Sequence, residues 1–205
     1  MGTRIYLDQI ERLFEKSPVV DFKSIERIVR ARKGRSRSSY AKLMVSNLLK
    51  KGRIHKVGKG YYSKHDESSL AVFAFRPAYL GLQSALSYFG VWEQETIPII
   101  LTTKKVRRGI RQVLGTNVLV RNIGLKYFFG TKLVKEGDFY LPYADLEKTF
   151  IDFIVFNEPI EGCALEALIK RVNRKKIERY LQKYPKKIRE KIEKYFKRAY
   201  KSNDL

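Results

Sequence analysis

Residues 34–63, GRSRSSYAKLMVSNLLKKGRIHKVGKGYYS, contain the pattern that decides the fold of the N-terminal part of the chain. In its first half an apolar residue recurs every three or four positions, which predicts a helix over residues 38–51 with one apolar stripe. The stripe consists of Ala41, Met44, Val45, Leu48 and Leu49. It can pack against a core and leaves the polar face of the helix outside.

A glycine and a basic hairpin follow this helix. Gly52 can adopt the positive φ angle at which many helices end. Residues 53–57 and 61–63 are predicted as two short strands, joined by the tight turn Gly58-Lys59-Gly60. The second half of the stretch is therefore a hairpin rich in positive charge.

Two shorter amphipathic segments precede the stretch. The first is predicted as a helix over residues 5–16, which Ser17-Pro18 ends. The second begins after Asp21, a plausible capping residue, and ends near Arg32. The order helix, helix, longer helix, hairpin is that of a winged helix-turn-helix, so we expect a DNA-binding domain over residues 1–65.

The 205 residues leave room for a second domain after that unit. The polar stretch HDESS, residues 65–69, predicts the boundary, and residues 66–205 mix the two periodicities. Short strands are predicted over residues 98–103, 118–123, 132–134 and 139–141, and helices over residues 80–89, 145–156, 163–171, 175–183 and 185–200. Residues 70–75 fit a strand or a short helix. The predicted fold class is α+β: an N-terminal winged helix-turn-helix, then a mixed α/β domain with a helical C-terminal tail.

Positive charge is concentrated at the two ends of the chain, whose net charge is +22. Residues 1–65 hold 17 Lys and Arg against 5 Asp and Glu, residues 66–169 hold 11 against 12, and residues 170–205 hold 15 against 4. Such an excess attracts polyanions and favours salt-sensitive nucleic-acid binding. The alternative is a lysine-rich solvated surface. At the N-terminus, where charge and a predicted binding fold coincide, nucleic acid is the favoured interpretation.

The sequence shows neither the pattern of a membrane-spanning protein nor that of a metal-dependent one. It has no apolar run near the roughly 18 residues that a membrane span needs, and its N-terminus lacks a signal-peptide layout, so we expect a cytoplasmic location. Cys163 is the one cysteine, which excludes an intrachain disulfide, and with His55 and His65 it cannot complete a four-ligand zinc site. We expect no metal and no cofactor.

The predicted DNA contacts lie on the third helix and the hairpin. The helix start offers backbone amides, hydroxyls and cations for a phosphate, and the middle of the polar face can reach base edges. The hairpin cations are expected along the backbone or in a minor groove. The predicted contacts are Arg35, Arg37, Ser38, Ser39, Tyr40, Lys42, Ser46 and Asn47 on the helix, and His55, Lys56 and Lys59 on the hairpin. Leu43 lies on the same face, where it can touch a thymine methyl group or pack against protein.

A second basic cluster interrupts the nearly neutral middle of the chain. It consists of Lys104, Lys105, Arg107, Arg108 and Arg111. Two interpretations remain open for it: a second surface for a polyanion, or a solvated hairpin.

Signals for an enzyme are weak. A metal-dependent nuclease needs an acidic residue two positions before a lysine on a strand, and the one such triplet, Asp21-Phe22-Lys23, falls in the N-terminal domain. The Gly-Ser turn and spaced aspartates of a nucleotidyltransferase are absent, and Gly58-Lys59-Gly60 is too short for a P-loop. There are two alternatives to a non-enzymatic DNA-binding protein: a nuclease that a winged helix delivers to DNA, and a binding module for structured RNA.

Several polar residues of the second domain have a structural interpretation. Glu147 and Asp152 are five positions apart on a helix, which is a poor spacing for paired catalytic carboxylates. With Lys148 they are therefore expected to form capping contacts and ion pairs that fix this helix against the sheet. Ser84 has no sequence-near histidine to activate it, so it is expected to be a small buried packing residue.

The order of motifs resembles the AbiEi group of antitoxins, which are abortive-infection transcriptional regulators. The resemblance rests on Ser84-Ala85-Leu86 with Tyr88 and Gly90, on Thr102-Thr103 followed by basic residues, and on Ala144, Glu147, Lys148 and Asp152. The motifs stand in the right order behind a predicted winged helix and span most of the chain. Gly60, Tyr61 and Tyr62 also resemble the glycine-containing end of the family's wing.

The resemblance implies a function that charge and periodicity do not show. A protein of this group binds double-stranded DNA at its own promoter, commonly at inverted repeats, and represses transcription. It also counteracts a cognate toxin of the nucleotidyltransferase type, usually without a stable complex. The resemblance therefore implies an antitoxin and autorepressor that is not itself an enzyme.

Overall fold

The chain divides into two compact units, each with its own core. The computed structural model describes residues 2–33, 38–160 and 162–201. The first unit comprises Met1–Phe75 with Arg111–Val118, and the second comprises Arg76–Ile110 with Leu119–Leu205. Helices and sheets occur in both, so the chain is a mixed α and β protein.

The first unit contains three helices and a small sheet among its described residues. The elements are α1 (Gly2–Lys16), β1 (Val20–Asp21), α2 (Phe22–Lys33), α3 (Ser38–Lys50), β2 (His55–Gly58) and β3 (Tyr61–Ser63). The strand order is β1-β3-β2, and every pairing is antiparallel. The sequence did not predict β1, because two residues are too few to show a strand period. It placed the start of β2 at Arg53, two residues before the observed start at His55.

Local sequence signals set the ends of these helices. The backbone amide of Ser24 donates to Asp21 Oδ1 over 2.8 Å, so Asp21 caps the first turn of α2. Gly52 takes a φ of 63° two residues after the end of α3, and the amide of Arg53 donates back to the Leu48 carbonyl over 2.9 Å. A side chain at Gly52 would strain this left-handed turn, which explains the glycine.

The apolar stripes predicted from the sequence form the core of the first unit. Ile25 and Val29 of α2 and Ala41 of α3 have no exposed surface. Around them lie Tyr6, Ile10, Phe14, Val20, Met44, Val45, Leu48 and Ile54. The short helices thus bury one face each in a single small core, as their three- and four-residue spacing requires.

A 3₁₀ helix, Ser68–Phe75, completes the first unit. The Cβ that a side chain at Gly58 would add lies 2.4 Å from the Ala74 Cβ, so the hairpin and this segment are in close contact. The sequence placed the domain boundary at residue 65, within polar HDESS, whereas the compact unit continues to Phe75. The apolar residues 70–74 explain the difference, because they are buried.

The second unit is built on a mixed sheet. Its strands are β4 (Ala78–Leu80), β5 (Ile99–Thr102), β6 (Gly109–Val113), β7 (Thr116–Asn122), β8 (Thr131–Glu136) and β9 (Phe139–Ala144), in the order β6-β7-β5-β4-β9-β8. The pairs β4–β9 and β5–β7 are parallel, and β4–β5 and β8–β9 are antiparallel. Part of the β6–β7 hairpin, residues 111–118, belongs to the first unit. The sequence analysis did not predict β6, and it predicted a helix that begins at Leu80. Leu80 instead lies in β4, where it pairs with Ile100 and Tyr143.

Helices cover the core of the second unit. They are α4 (Gln83–Tyr88), α5 (Leu146–Phe156), α6 (Gly162–Arg171), α7 (Arg174–Leu181) and α8 (Lys186–Lys201). The four C-terminal helices match the predicted ones to within two residues at each end, and α4 is shorter than predicted. Phe150 and Ile151 of α5 are fully buried against Leu168, Ile177 and Ile192 of the later helices. The α5 helix is the centre of this core.

None of the helices described for residues 2–33, 38–160 and 162–201 combines the length and apolar character that a membrane crossing requires.

Candidate nucleic-acid interface

The outer face of α3 is polar and free of the core. Ser39, Lys42 and Asn47 are exposed and Ser46 is half-buried, while Ala41, Met44, Val45 and Leu48 on the opposite side are buried. This separation follows from the 3.6-residue period, which puts the two sets about half a turn apart. The face can approach a ligand without disturbing the core.

The β2–β3 hairpin adds a second basic element to the same unit. Lys56 and Lys59 are exposed and His55 is half-buried, with His55 paired to Ser63 across the hairpin. Val57 between them has no exposed surface and anchors the strand. The strand alternation therefore turns Lys56 outward, and the turn presents Lys59. Tyr62 lies on β3, the middle strand of this sheet, and burial raises the pKa of its hydroxyl.

The lysines of these elements are available for an anion. Among the described residues of the first unit, ion pairs join Arg30 to Glu26 and Arg53 to Glu11, and no lysine of α3 or the hairpin takes part. The charge of an exposed ammonium group without a carboxylate partner is not offset by a nearby anion, so the group can bind phosphate. This is the electrostatic property that duplex binding requires.

The remaining predicted contacts differ in position. Arg35 and Arg37 lie outside the described residues, so their contacts stay predictions. Ser38 is half-buried at the first position of α3. Tyr40 is also half-buried, and its ring packs edge-on against Tyr6 at a centroid distance of 6.0 Å. Tyr40 therefore contributes to the core, which its position in the predicted basic set did not indicate.

The second basic cluster is divided between the two units. Lys105, Arg107 and Arg108 are exposed in the loop before β6, in the second unit. Arg111 lies in the part of β6 that belongs to the first unit, with its guanidinium 5.4 Å from the centre of the Phe75 ring. Of the cluster, only Arg111 lies in a strand of the β6–β7 hairpin, so both interpretations of the cluster stay predictions.

The acidic residues considered for catalysis have structural partners. Asp21, of the nuclease-like triplet, caps α2 through its Oδ1 atom. Within residues 2–33, 38–160 and 162–201, no group of three His, Cys, Asp or Glu side chains has the geometry of a metal site. Ser84 is buried, accepts a hydrogen bond from the Ile99 amide over 2.8 Å and donates to the Ile97 carbonyl over 3.3 Å, as a packing residue would.

A buried ion pair lies at the centre of the second unit. Lys148 and Asp152, one turn apart on α5, form a salt bridge with no exposed side-chain surface. The Tyr79 hydroxyl donates to Asp152 Oδ2 over 2.7 Å, and Lys148 Nζ lies 3.3 Å from the Tyr184 hydroxyl, to which it donates. The pair thus links β4, α5 and the segment between α7 and α8. This confirms the structural interpretation of these residues.

Burial shifts the ionisation of the whole cluster. It lowers the pKa of Lys148 and raises the pKa of Asp152, because both charged forms are removed from water, while their mutual attraction opposes both shifts. Burial and then the neighbouring Asp152 carboxylate raise the pKa of Tyr79 well above its ordinary value. Every polar group here is held by another, so the cluster is a fixed structural element.

A second set of contacts ties the start of α5 to α7. Asp145 caps α5 by accepting from the Lys148 amide over 2.8 Å, and also accepts from the Tyr180 hydroxyl over 2.8 Å. Glu147 accepts from the Asn173 amide over 2.9 Å and from Lys176 Nζ over 2.7 Å. Burial alone would raise the pKa of Glu147, but these hydrogen bonds lower it. Burial and Asp145 raise the pKa of Tyr180 to about 12.

Comparison with known proteins adds a likeness of fold. No protein-family model matches the chain, and no curated protein matches it significantly. The chain is similar to a solved structure described as the crystal structure of the RV2827C protein from Mycobacterium tuberculosis, with a TM-score of 0.58 and 14% sequence identity over 97% of this chain and 76% of that one. At this identity the similarity concerns the fold alone.

Proposed function

We propose that the first unit is a winged helix-turn-helix that binds double-stranded DNA, with α3 in the major groove and the β2–β3 hairpin as the wing. The protein then acts as the antitoxin and autorepressor of a toxin–antitoxin operon. The observation that carries the DNA-binding part is the outer face of α3, which apart from Leu43 is polar and cationic and lies opposite a buried stripe.

The geometry of α3 suits the major groove. A groove about 12 Å wide admits one α-helix, and the helix must expose a face of short polar and basic side chains to reach base edges and phosphates. Ser39, Lys42 and Asn47 form such a face. Asn47 can make the paired hydrogen bonds that select adenine, and Lys42 can contact a phosphate or guanine.

The hairpin supports the same proposal. Lys56 and Lys59 are exposed on a short ribbon whose other side is held by Val57 and by the close approach of Gly58 to Ala74. A ribbon fixed in this way presents its cations in a defined position. Contacts with the phosphate backbone or a minor groove depend on cations held in a defined position more than on a particular DNA sequence.

The antitoxin part of the proposal is supported by the order of motifs that resemble the AbiEi group. In the second unit, Glu147, Lys148 and Asp152 of that motif have structural roles that fix α5 to β4 and α7. A role in scaffolding fits a regulator that counteracts a nucleotidyltransferase-type toxin and carries no reaction of its own.

Binding to the protein's own upstream DNA tests the first part. The purified full chain is titrated against the duplex that precedes its reading frame, and against a shuffled duplex of equal length and composition, in a mobility-shift assay. Specific DNA binding at physiological salt is expected to be tighter than non-specific binding by at least about a thousandfold. Equal affinity for the two duplexes would refute sequence-specific repression.

Co-expression tests the second part. If a neighbouring gene encodes a nucleotidyltransferase, its induction is expected to arrest growth, and expression of this chain from an independent promoter is expected to restore it. The toxin is also induced from a promoter that lacks the upstream DNA of the operon, which removes repression as an explanation. Growth arrest that persists with the full chain present would refute the antitoxin assignment while leaving DNA binding intact.

A further inference from the structure

Leu43 is out of place on the outer face of α3. Its exposed fraction is 55%, and it is the one exposed large hydrophobic residue among the described residues of the first unit. On the helical wheel it lies almost opposite the buried stripe, at the middle of the polar face. Exposure of a leucine at this position leaves apolar surface in water, so a ligand that covers it gains affinity.

We propose that Leu43 recognises thymine by packing against the 5-methyl group in the major groove, so that the protein selects thymine where α3 crosses its site. The inference rests on the proposed function, because it requires α3 to enter the groove. It adds a specificity-determining residue to the polar contacts.

The surroundings of Leu43 favour a base over a protein partner. Ser39, Ser46 and Asn47, its neighbours one turn away, are short polar side chains, and Lys42 and Lys50 extend the face with positive charge. Protein interfaces instead centre on clusters of apolar side chains and are depleted in lysine. The thymine methyl is the apolar group that base edges display in the major groove, and an isolated leucine matches a feature of that size.

Uracil substitution isolates the methyl group. The upstream duplex is prepared once with thymine and once with uracil, which keeps the hydrogen-bonding edges and removes only the methyl. For each methyl that Leu43 contacts, the wild-type chain is expected to lose about fourfold in affinity on the uracil duplex. The Leu43→Ala variant is expected to bind the two duplexes equally.

A second leucine provides the matched control. Leu125, with an exposed fraction of 75% in the second unit, loses the same atoms in Leu125→Ala, which is expected to keep the wild-type preference for thymine. Thermal melting of each variant verifies the fold, which neither exposed side chain should affect.

The outcomes separate the inference from the proposed function. Wild-type binding without a preference for thymine, or a preference that Leu43→Ala keeps, overturns the role of Leu43 alone. A change of oligomeric state in Leu43→Ala, measured by sedimentation, assigns the residue to contact between copies and also overturns it. Failure of the wild-type chain to bind either duplex overturns both proposals.

Discussion

Replacing Lys148 by methionine is expected to destabilise the second unit severely. The side chains of Lys148 and Asp152 have no exposed surface. Methionine keeps most of the volume of lysine but removes the charge, and it leaves the Asp152 carboxylate in the interior with the Tyr79 hydroxyl as a hydrogen-bond donor. Breaking one side of a buried ion pair costs about 3 to 5 kcal/mol, and we expect Lys148→Met to fall in that range.

Removing both charges is expected to cost less than removing one. In Lys148→Met combined with Asp152→Leu no charge stays buried, and the remaining loss comes from the hydroxyls of Tyr79 and Tyr184, which lose their partners. Each lost hydrogen bond costs about 1 kcal/mol, so the double variant should be destabilised by about 2 kcal/mol. The difference between the single and double variants measures the buried charge.

An exposed pair with the same spacing is the control. Lys186 and Glu190 are also one turn apart on a helix, at 3.8 Å, with exposed side-chain fractions of 84% and 59%. The matching substitutions, Lys186→Met and Glu190→Leu, remove the same charges in water. Since exposed helical pairs contribute about 0.3 to 0.5 kcal/mol, each should change the stability very little.

Denaturant unfolding followed by tryptophan fluorescence gives the required free energies. Trp92 is the one tryptophan of the chain and packs against the core of the second unit, so it reports on that unit. If the double variant loses as much stability as Lys148→Met and Asp152→Leu, each measured alone, lose in sum, the burial argument is wrong. It is also wrong if Lys148→Met costs no more than Lys186→Met.

Three further perturbations test other contacts. Glu147→Gln should destabilise the second unit at neutral pH, and the difference in stability from wild type should vanish in acid. The pKa of folded Glu147 lies below its ordinary 4.5, so the stability that this carboxylate contributes is present above that pH and is lost as the pH falls through the folded-state pKa. Unfolding curves measured against pH will reveal this loss. Gly58→Ala should cost about 1 to 3 kcal/mol of stability, because its Cβ would lie 2.4 Å from that of Ala74. In thermal melts, Ala74→Gly in the same chain should restore much of the lost stability. No rescue would show that this contact is not the cause. Asp21→Ala should cost about 1 kcal/mol through the lost cap of α2 while Asp21→Asn costs much less, and equal losses by circular dichroism would contradict the capping role.

Elements with a clear local pattern were predictable from the sequence. The stripe of α3 and the cap of α2 each depend on residues within one or two turns of each other, so spacing alone indicates them. Ala41, Val45 and Leu48 are buried, and the Ser24 amide donates to Asp21, as those patterns require.

Elements that depend on distant partners were not predictable. The strand β4, Ala78–Leu80, is buried on both sides between β5 and β9, so its three apolar residues look the same as the start of a helix. The four-residue spacing of Lys148 and Asp152 is visible in the sequence, but their burial depends on Tyr79 and Tyr184, which are far away along the chain. The outer face of α3 is predictable as polar, whereas its ligand depends on contacts that no periodicity encodes.

The salt dependence of DNA affinity tests the central proposal most directly. Affinity for the upstream duplex is measured over a range of salt concentrations for the wild-type chain, for Lys42→Ala combined with Lys56→Ala, and for Arg12→Ala combined with Lys16→Ala, an equal charge change on α1. Each lost phosphate contact reduces the logarithmic slope by about 0.9, so the first variant should show a slope shallower by about 1.8 and the second the wild-type slope. A wild-type slope in the α3 and hairpin variant, or an equal reduction in the α1 variant, would contradict the assignment of this face to DNA.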